Sequence, residues 1–296
     1  MTAPTLHLVR HAQGFHNLTV ENHHMPDPLL TEYGKEQCRI LHDSFPDVDS
    51  IDLIVASPLK RTVYTALISF RDIIARKNLT VIALPEAQET SDMPCDTGSH
   101  IDELEKEFQG QPVDFGLVAA RPDWNSKKGD WAPWADPMTV RARKARQWLR
   151  ERKEKNIVMV THGGFLHYFT EDFDGYDTFN GEKFQQKLES ESDVDERILI
   201  WMSEYPGTGW ANTEYRAYTY DLKSGSNASI LETSESRRRR RGDEKPLTEA
   251  EQRNLKMSAT KAWEDVGYVK AEPTYSIQSK LRAAKQDRDW VGGFGV

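Results

Sequence analysis

Four short apolar runs, rich in β-branched residues, punctuate the chain: Thr5–Val9, Asp52–Ala56, Thr80–Leu84 and Ile157–Thr161. Their apolar character is continuous rather than alternating, which predicts strands covered on both faces, as in a parallel sheet. Between them the period changes. Thr31 can cap a helix through Glu32, Gln37, Ile40 and Leu41, because its hydroxyl can accept from the first free N–H groups. Ser57-Pro58 combines a capping hydroxyl with proline at the first helical position. Val63, Ala66, Leu67, Phe70, Ile73 and Ile74 then follow the spacing of one buried helical face. Asp136-Pro137 repeats the start signal, with Met138, Ala142, Ala145 and Leu149 marking an inner face. Strands alternating with helices predict an α/β fold, a three-layer sandwich with a mostly parallel central sheet flanked by helices. The alternating run Tyr215–Leu222 reads as an added strand, antiparallel if it closes one edge.

Two segments break this rhythm, at about 85–135 and 174–211. The first is rich in Asp, Glu, Gly, Pro and Trp, with a short helical pattern at Ile101–Phe108; the second holds the acidic run Glu189–Glu196. Both read as long insertions over the C-terminal edge of the strands. After about Asn227 the composition shifts, and five arginines, Arg237–Arg241, sit among Ser, Glu and Gly. A solvated linker is the favoured reading of that run; a nuclear-import or polyanion-binding patch is the sharper alternative. Leu247–Trp263 suits a helix capped by Thr248, and Trp263, Tyr268, Tyr275, Trp290 and Phe294 argue that part of the tail packs on the body. The expected organisation is one α/β domain over 1–225 and a polar extension over 226–296.

Composition narrows the classes. Of 296 residues 38% are hydrophobic and 29% charged, with a net charge of −8. An acidic surface disfavours nonspecific nucleic-acid binding. The chain has no apolar stretch long enough for a membrane span, and its first residues lack the basic-then-apolar order of a secretory leader. Cys38 and Cys95 are too few for a disulfide framework. A cytoplasmic location is therefore expected, with a nuclear one left open by the arginine run, and the sequons at Asn17, Asn78 and Asn227 read as chance matches.

The chemistry gathers at strand ends. Arg10-His11 follows the first strand, Arg61 lies just after the second, and His162 follows the fourth. Ligands of open α/β sheets bind beyond the carboxyl ends of the strands. Arginine forks match phosphate oxygens and stay charged, and helix N-termini add N–H donors. A histidine between arginines resists protonation, so its neutral imidazole can serve as a nucleophile. A second histidine can donate to phosphoryl oxygens in the transition state. Each piece alone is weak: an Arg-His pair is usually a surface accident, and His-Gly-Gly usually a turn. All of them at successive strand ends make a phosphate site.

These segments, LVRHAQGFHN, ASPLKRTVYTA, LPEAQET and VTHGGF over about residues 5–170, resemble the histidine phosphatase superfamily, which includes the cofactor-dependent phosphoglycerate mutases. The resemblance implies that His11 is the nucleophile and becomes phosphohistidine. It implies that Arg10, Arg61 and His162 form the rest of the phosphate pocket, with Asn17 contributing, and that neither a metal nor an organic cofactor is required. The family's proton donor follows the third strand. Glu89 is chosen here, with Glu86 as its rival and Asp92 or Asp96 more remote. A leaving alkoxide needs a proton, and burial or a nearby anion holds a carboxyl protonated; the plain alternative is a loop carboxylate in ion-pair contact.

Two departures stand out. Ala12 replaces a common glycine, which is tolerable where the backbone is not left-handed. The basic segment of the mutases, paired arginines near Tyr-Gly, is replaced after Glu89 by SDMPCDTGSHIDELEKEF, which is acidic. The expected activity is hydrolysis of a small phosphorylated metabolite. Mutase-type phosphoryl transfer and a catalytically idle phosphatase-like binding module are the alternatives. His7, His11, His16, His23 and His24 invite a metal reading, but no carboxylate or cysteine completes a ligand spacing. Trp124, Trp131 and Trp134 suit loop anchors at least as well as a substrate pocket. Cys38 reads as core, and nothing lowers the Cys95 thiol toward redox reactivity. Neither a nucleic-acid nor a membrane partner is expected, and the oligomeric state is left open.

Overall fold

The computed structural model describes residues 3–19, 21–176 and 209–265. Within them lies one sheet: β1 (Thr5–Arg10), β2 (Leu53–Ala56), β3 (Val81–Ala83), β4 (Val113–Asp114), β5 (Asn156–Thr161), β6 (Tyr215–Tyr220) and β7 (Ile230–Glu232). The strand order is β4-β3-β2-β5-β1-β6-β7. The pairings from β4 through β1 are parallel, while β6 and β7 add antiparallel pairings beyond β1. The four apolar runs are strands, and Tyr215–Tyr220 is the antiparallel addition. β4 and β7 have only two and three residues, too short for a periodic signal to separate from loop.

Alternate strand residues feed the two faces. Leu6, Leu8, Leu53, Val55, Ile157 and Met159 pack with Met138, Ala142, Ala145 and Leu149 of α6 (Ala135–Arg150) and with Phe165 and Phe169 of α7 (Gly163–Thr170). Ile54, Ala56, Val158 and Val160 pack with Leu41 of α1 (Glu32–Ser44), Val63 and Ala66 of α2 (Lys60–Ser69), and Ile73 and Ile74 of α3 (Arg71–Lys77). Strands clothed on both sides explain the continuous apolar runs. None of the described helices is long and apolar enough to cross a membrane.

Local signals held unevenly. The Thr31 hydroxyl accepts from Gly34 N–H at the start of α1, as read. Ser57 does not cap α2, which begins at Lys60 after Leu59. Its hydroxyl is taken by His162, 2.8 Å away, so a residue with a capping signature has another use. Asp136 lies inside the first turn of α6, after Trp134, where a carboxylate favours the helix dipole.

The first insertion carries α4 (Ile101–Glu107), β4 and α5 (Gly116–Ala119). Trp124 and Trp131 are buried in the core face of α1–α3. Burial of a large apolar side chain is worth about 1.5–3 kcal/mol, enough to offset ordering its neighbours at about 1–2 kcal/mol each. For these two the anchor reading holds. Cys38 is in the core as well.

Beyond Asn227 the arginine run is no solvated linker. It lies on α8 (Ser234–Arg241). Arg239 stacks on Tyr215, Arg240 pairs with Glu232 at 2.8 Å, and Arg241 pairs with Asp174 at 2.7 Å. Runs of one charge look solvated in sequence because their partners come from elsewhere in the chain. In α9 (Glu249–Asp265) Thr248 accepts from Glu251 N–H as expected. Gln252 of that helix bonds Asp172 and Phe173, and Lys256 bonds Thr139. The run Glu189–Glu196 and the aromatics from Tyr268 onward lie outside the described residues.

Gly34 shows how tightly α1 sits on the segment after β1: a Cβ there would meet the Gln13 carbonyl oxygen at 2.1 Å. Helix propensity alone would favour alanine by about 1 kcal/mol. Overpacking against main chain reverses the sign, so Gly34→Ala should destabilise the protein by about 1–3 kcal/mol in urea unfolding. A stabilised variant would contradict the packing.

Candidate active site

Strand order decides which side chains meet. β5 lies between β1 and β2, so the residues leaving these three strands are neighbours. Arg10 pairs with Thr161 and Ala56 with Val160. His11 and His162 therefore leave the sheet at one level, with ring centroids 5.2 Å apart. Ser57 leaves β2 beside them, its N–H bonded to Val160 O.

Arg61, fully buried, ties these residues together. It donates to Cys95 O at 2.5 Å, Asp96 Oδ1 at 2.9 Å, His162 Nδ1 at 3.1 Å and His11 Nε2 at 3.3 Å. A guanidinium only donates, so both ring nitrogens must present lone pairs. The protons of the neutral rings are then on the opposite nitrogens. His11 Nδ1–H donates to Ala12 O at 2.7 Å and His162 Nε2–H to Ser57 Oγ at 2.8 Å. Ala12 has no positive φ, so alanine is accommodated at the expected place.

Burial first, then Arg61 and Arg10, lowers the His11 pKa well below the ordinary histidine value. Burial and Arg61 do the same to His162. Arg10 is half-buried and donates to the Trp210 carbonyl, while its Nε has no partner among the described residues. Burial pushes its pKa down to about 10, against the pull of Glu89, and it stays charged. Asn212 and Thr213 hold the main chain from behind, donating to the His11 and Arg10 carbonyls. Asn17 turns its carbonyl oxygen to Gly14 N–H at 3.0 Å, which shapes the loop and leaves its amide nitrogen uncommitted among the described residues.

Glu89 arrives from the segment after β3. Its carboxyl accepts from Phe165 N–H at 2.9 Å and Gly164 N–H at 3.2 Å, at the start of the helix that follows His162. Gly164 makes room: a Cβ there would lie 2.7 Å from Glu89 Oε1. Burial, then Asp96, raises the Glu89 pKa despite these N–H bonds and Arg61. The rivals are placed differently. Glu86 meets Arg141 through its carbonyl, Asp92 is exposed, and Asp96 is engaged by Arg61 and by Ser91.

Four residues of this neighbourhood escaped the sequence reading of the site. Ser57 carried a misread cap signal. Asp96 was weighed only as an acid. His16, weighed only as a metal ligand, is buried, its ring centroid 5.4 Å from that of His11, with Nδ1 unpartnered among the described residues. Lys127 gave no signal, being one lysine in a polar loop.

Fold and pocket are those of an α/β protein that can seat a compact anion beyond β1, β5 and β2. The chain belongs to the histidine phosphatase superfamily (branch 1), whose family model matches residues 6–197. A probable phosphatase of Schizosaccharomyces pombe is 30% identical over 167 residues, covering 56% of this chain and 76% of that one. Phosphoglycerate mutase-like protein 1 of Arabidopsis thaliana is 30% identical over 201 residues, covering 55% of this chain and 70% of that one. Among solved structures, Bacillus stearothermophilus YhfR gives a TM-score of 0.45 at 18% identity, covering 82% of this chain and 98% of that one.

The imidazoles supply a direct check. By nitrogen-detected NMR, His11, His16 and His162 should stay neutral where an exposed histidine titrates, because all three pKa values are lowered. The unfolded chain protonates these rings near pH 6.5 and so binds more protons than the native one. Stability should therefore fall as pH drops below about 6.5. A protonated His11 at pH 6 would contradict the tautomer assignment.

Proposed function

We propose that this protein is a phosphatase that hydrolyses a small phosphorylated metabolite through a phosphohistidine on His11. The observation that carries this reading is the state of His11: Nδ1–H is fixed on Ala12 O, and the unprotonated Nε2 accepts a long 3.3 Å bond from Arg61 Nε, which an arriving phosphoryl oxygen would draw away to free the lone pair. The reaction has two steps. The Nε2 lone pair attacks phosphorus, the P–O ester bond breaks, and the leaving alkoxide takes the proton of Glu89. Water then attacks phosphorus, giving a proton to the Glu89 carboxylate. The P–N bond breaks, its electrons return to Nε2, and inorganic phosphate leaves. Arg10 and Arg61 bind the phosphoryl oxygens, with Asn17 contributing through its amide, and His162 joins them by turning its Nε2–H from Ser57 Oγ to the phosphoryl group.

Geometry supports Glu89 over Glu86 as the acid, since its carboxyl is held by the N–H groups that follow His162 and burial raises its pKa. We further propose one catalytic domain. Its sheet runs to Glu232, and α8 and α9 form the extension packed on it.

His11→Ala should abolish phosphate release across a panel of phosphomonoesters, and acid-labile phosphoryl label should be trapped on His11 in the native enzyme. Undiminished turnover in the variant sinks the proposal. Stimulation of 3-phosphoglycerate conversion by a bisphosphorylated primer would select the mutase reading instead. Glu89→Gln should cost about 10²–10⁴-fold in kcat on alkyl phosphates. The cost should be much less on p-nitrophenyl phosphate, whose leaving group departs as a stable anion.

A further inference from the structure

We propose that Lys127 is a positioning residue for the general acid, holding Glu89 in place through its main-chain carbonyl. The inference rests on the reading of Glu89 as proton donor. Lys127 lies between the core tryptophans Trp124 and Trp131, so its loop is tethered on both sides. Its φ is +55°, a left-handed conformation that disfavours side-chain-bearing residues. The side chain is buried, and Nζ donates to Glu89 O at 3.0 Å. An ammonium has three donors, yet among the described residues this is its one hydrogen bond and no carboxylate forms an ion pair with it. Buried cations are normally paired because desolvation is costly. The charged groups facing Lys127 are Arg141, Asp96, Glu89 and Arg61, and burial brings its pKa to about 7.

The carbonyl that Lys127 holds belongs to a clamp. Arg141 of α6 donates through Nη2 to the same oxygen at 3.3 Å, and through Nη1 to Gln88 O and to Glu86 O at 3.1 Å. Its guanidinium also stacks 4.8 Å from the Phe165 ring, and Phe165 N–H holds the Glu89 carboxyl. Glu89 is thus fixed at both ends. The carboxyl rests on α7, and the main chain on one cation from α6 and one from the first insertion. Without the Lys127 donor the Glu89 carbonyl keeps only the longer 3.3 Å bond from Arg141, and small misplacements of a reacting group cost up to about 10²-fold.

The test compares leaving groups in the full chain. Lys127→Met should lower kcat on glycerol phosphate at least about tenfold more than on p-nitrophenyl phosphate, with KM changing less than kcat. Orthovanadate, which needs the phosphate pocket but no acid, should still inhibit it. Equal losses on both esters, or no loss, would overturn the proposal. So would loss of vanadate inhibition in both Lys127→Met and Lys127→Gln, which would make the lysine a structural or phosphate-binding group. Glu89→Gln is run in parallel. If it shows no leaving-group contrast, the acid reading itself fails; if it shows the contrast and Lys127→Met does not, only the positioning role fails.

Discussion

A guanidinium with no exposed surface has to find acceptors inside the protein, and at Arg61 that requirement organises the pocket. Burying an unpaired charge would cost several kcal/mol. Asp96 and the Cys95 carbonyl answer part of it. The remainder falls on two imidazoles, which can accept only at unprotonated nitrogens. One buried cation thus fixes both tautomers, and its field opposes protonation of either ring. Asp96, which the sequence offered only as a remote acid, is the counter-ion that makes the arrangement affordable.

The legible part of the molecule is the part encoded locally. Continuous apolar runs fix β1, β2, β3 and β5, and residues immediately after them have little freedom in where they go. Arg10, His11 and His162 were readable for that reason, and Arg61 because it lies in the first turn of the helix after β2. Glu89 follows a three-residue strand and a short turn, so local spacing left Glu86 as its rival and the choice rested on the family resemblance. Lys127, and the partners of Arg239, Arg240 and Arg241, depend on how insertions and tail fold back. Such long-range contacts leave no periodicity in the chain. Ser57 shows a subtler limit: a correct local preference for a capping hydroxyl was overridden by an imidazole donor from another strand.

The overall charge of −8 gains a different meaning beside this pocket. Arg10, Arg61 and Arg141 bring three guanidinium cations to the ends of the parallel strands, with Lys127, whose pKa burial lowers to about 7, beside them, against the nearby carboxyls of Glu89 and Asp96. Long polyanions meet an acidic body, whereas a compact dianion meets only the local excess of positive charge. On the proposed reading, such a charge distribution would favour small phosphate esters without a dedicated gate.

The same balance bears on how a carboxyl keeps a proton among cations. Arg61 and the N–H groups of Thr90 and Gly164 favour ionised Glu89, while burial and Asp96 oppose them and prevail. On the proposed reading, an arriving phosphoryl dianion would add negative charge and raise the pKa further, so Glu89 would hold its proton best when substrate is present. On the proposed reading, the carboxylate left after proton transfer to the leaving oxygen would already be seated on Phe165 and Gly164 at the start of α7, where charge-assisted bonds and the helix dipole favour the anion. The donors cost little in the resting state and act most strongly on the form the reaction produces. That is the direction in which transition-state stabilisation must run.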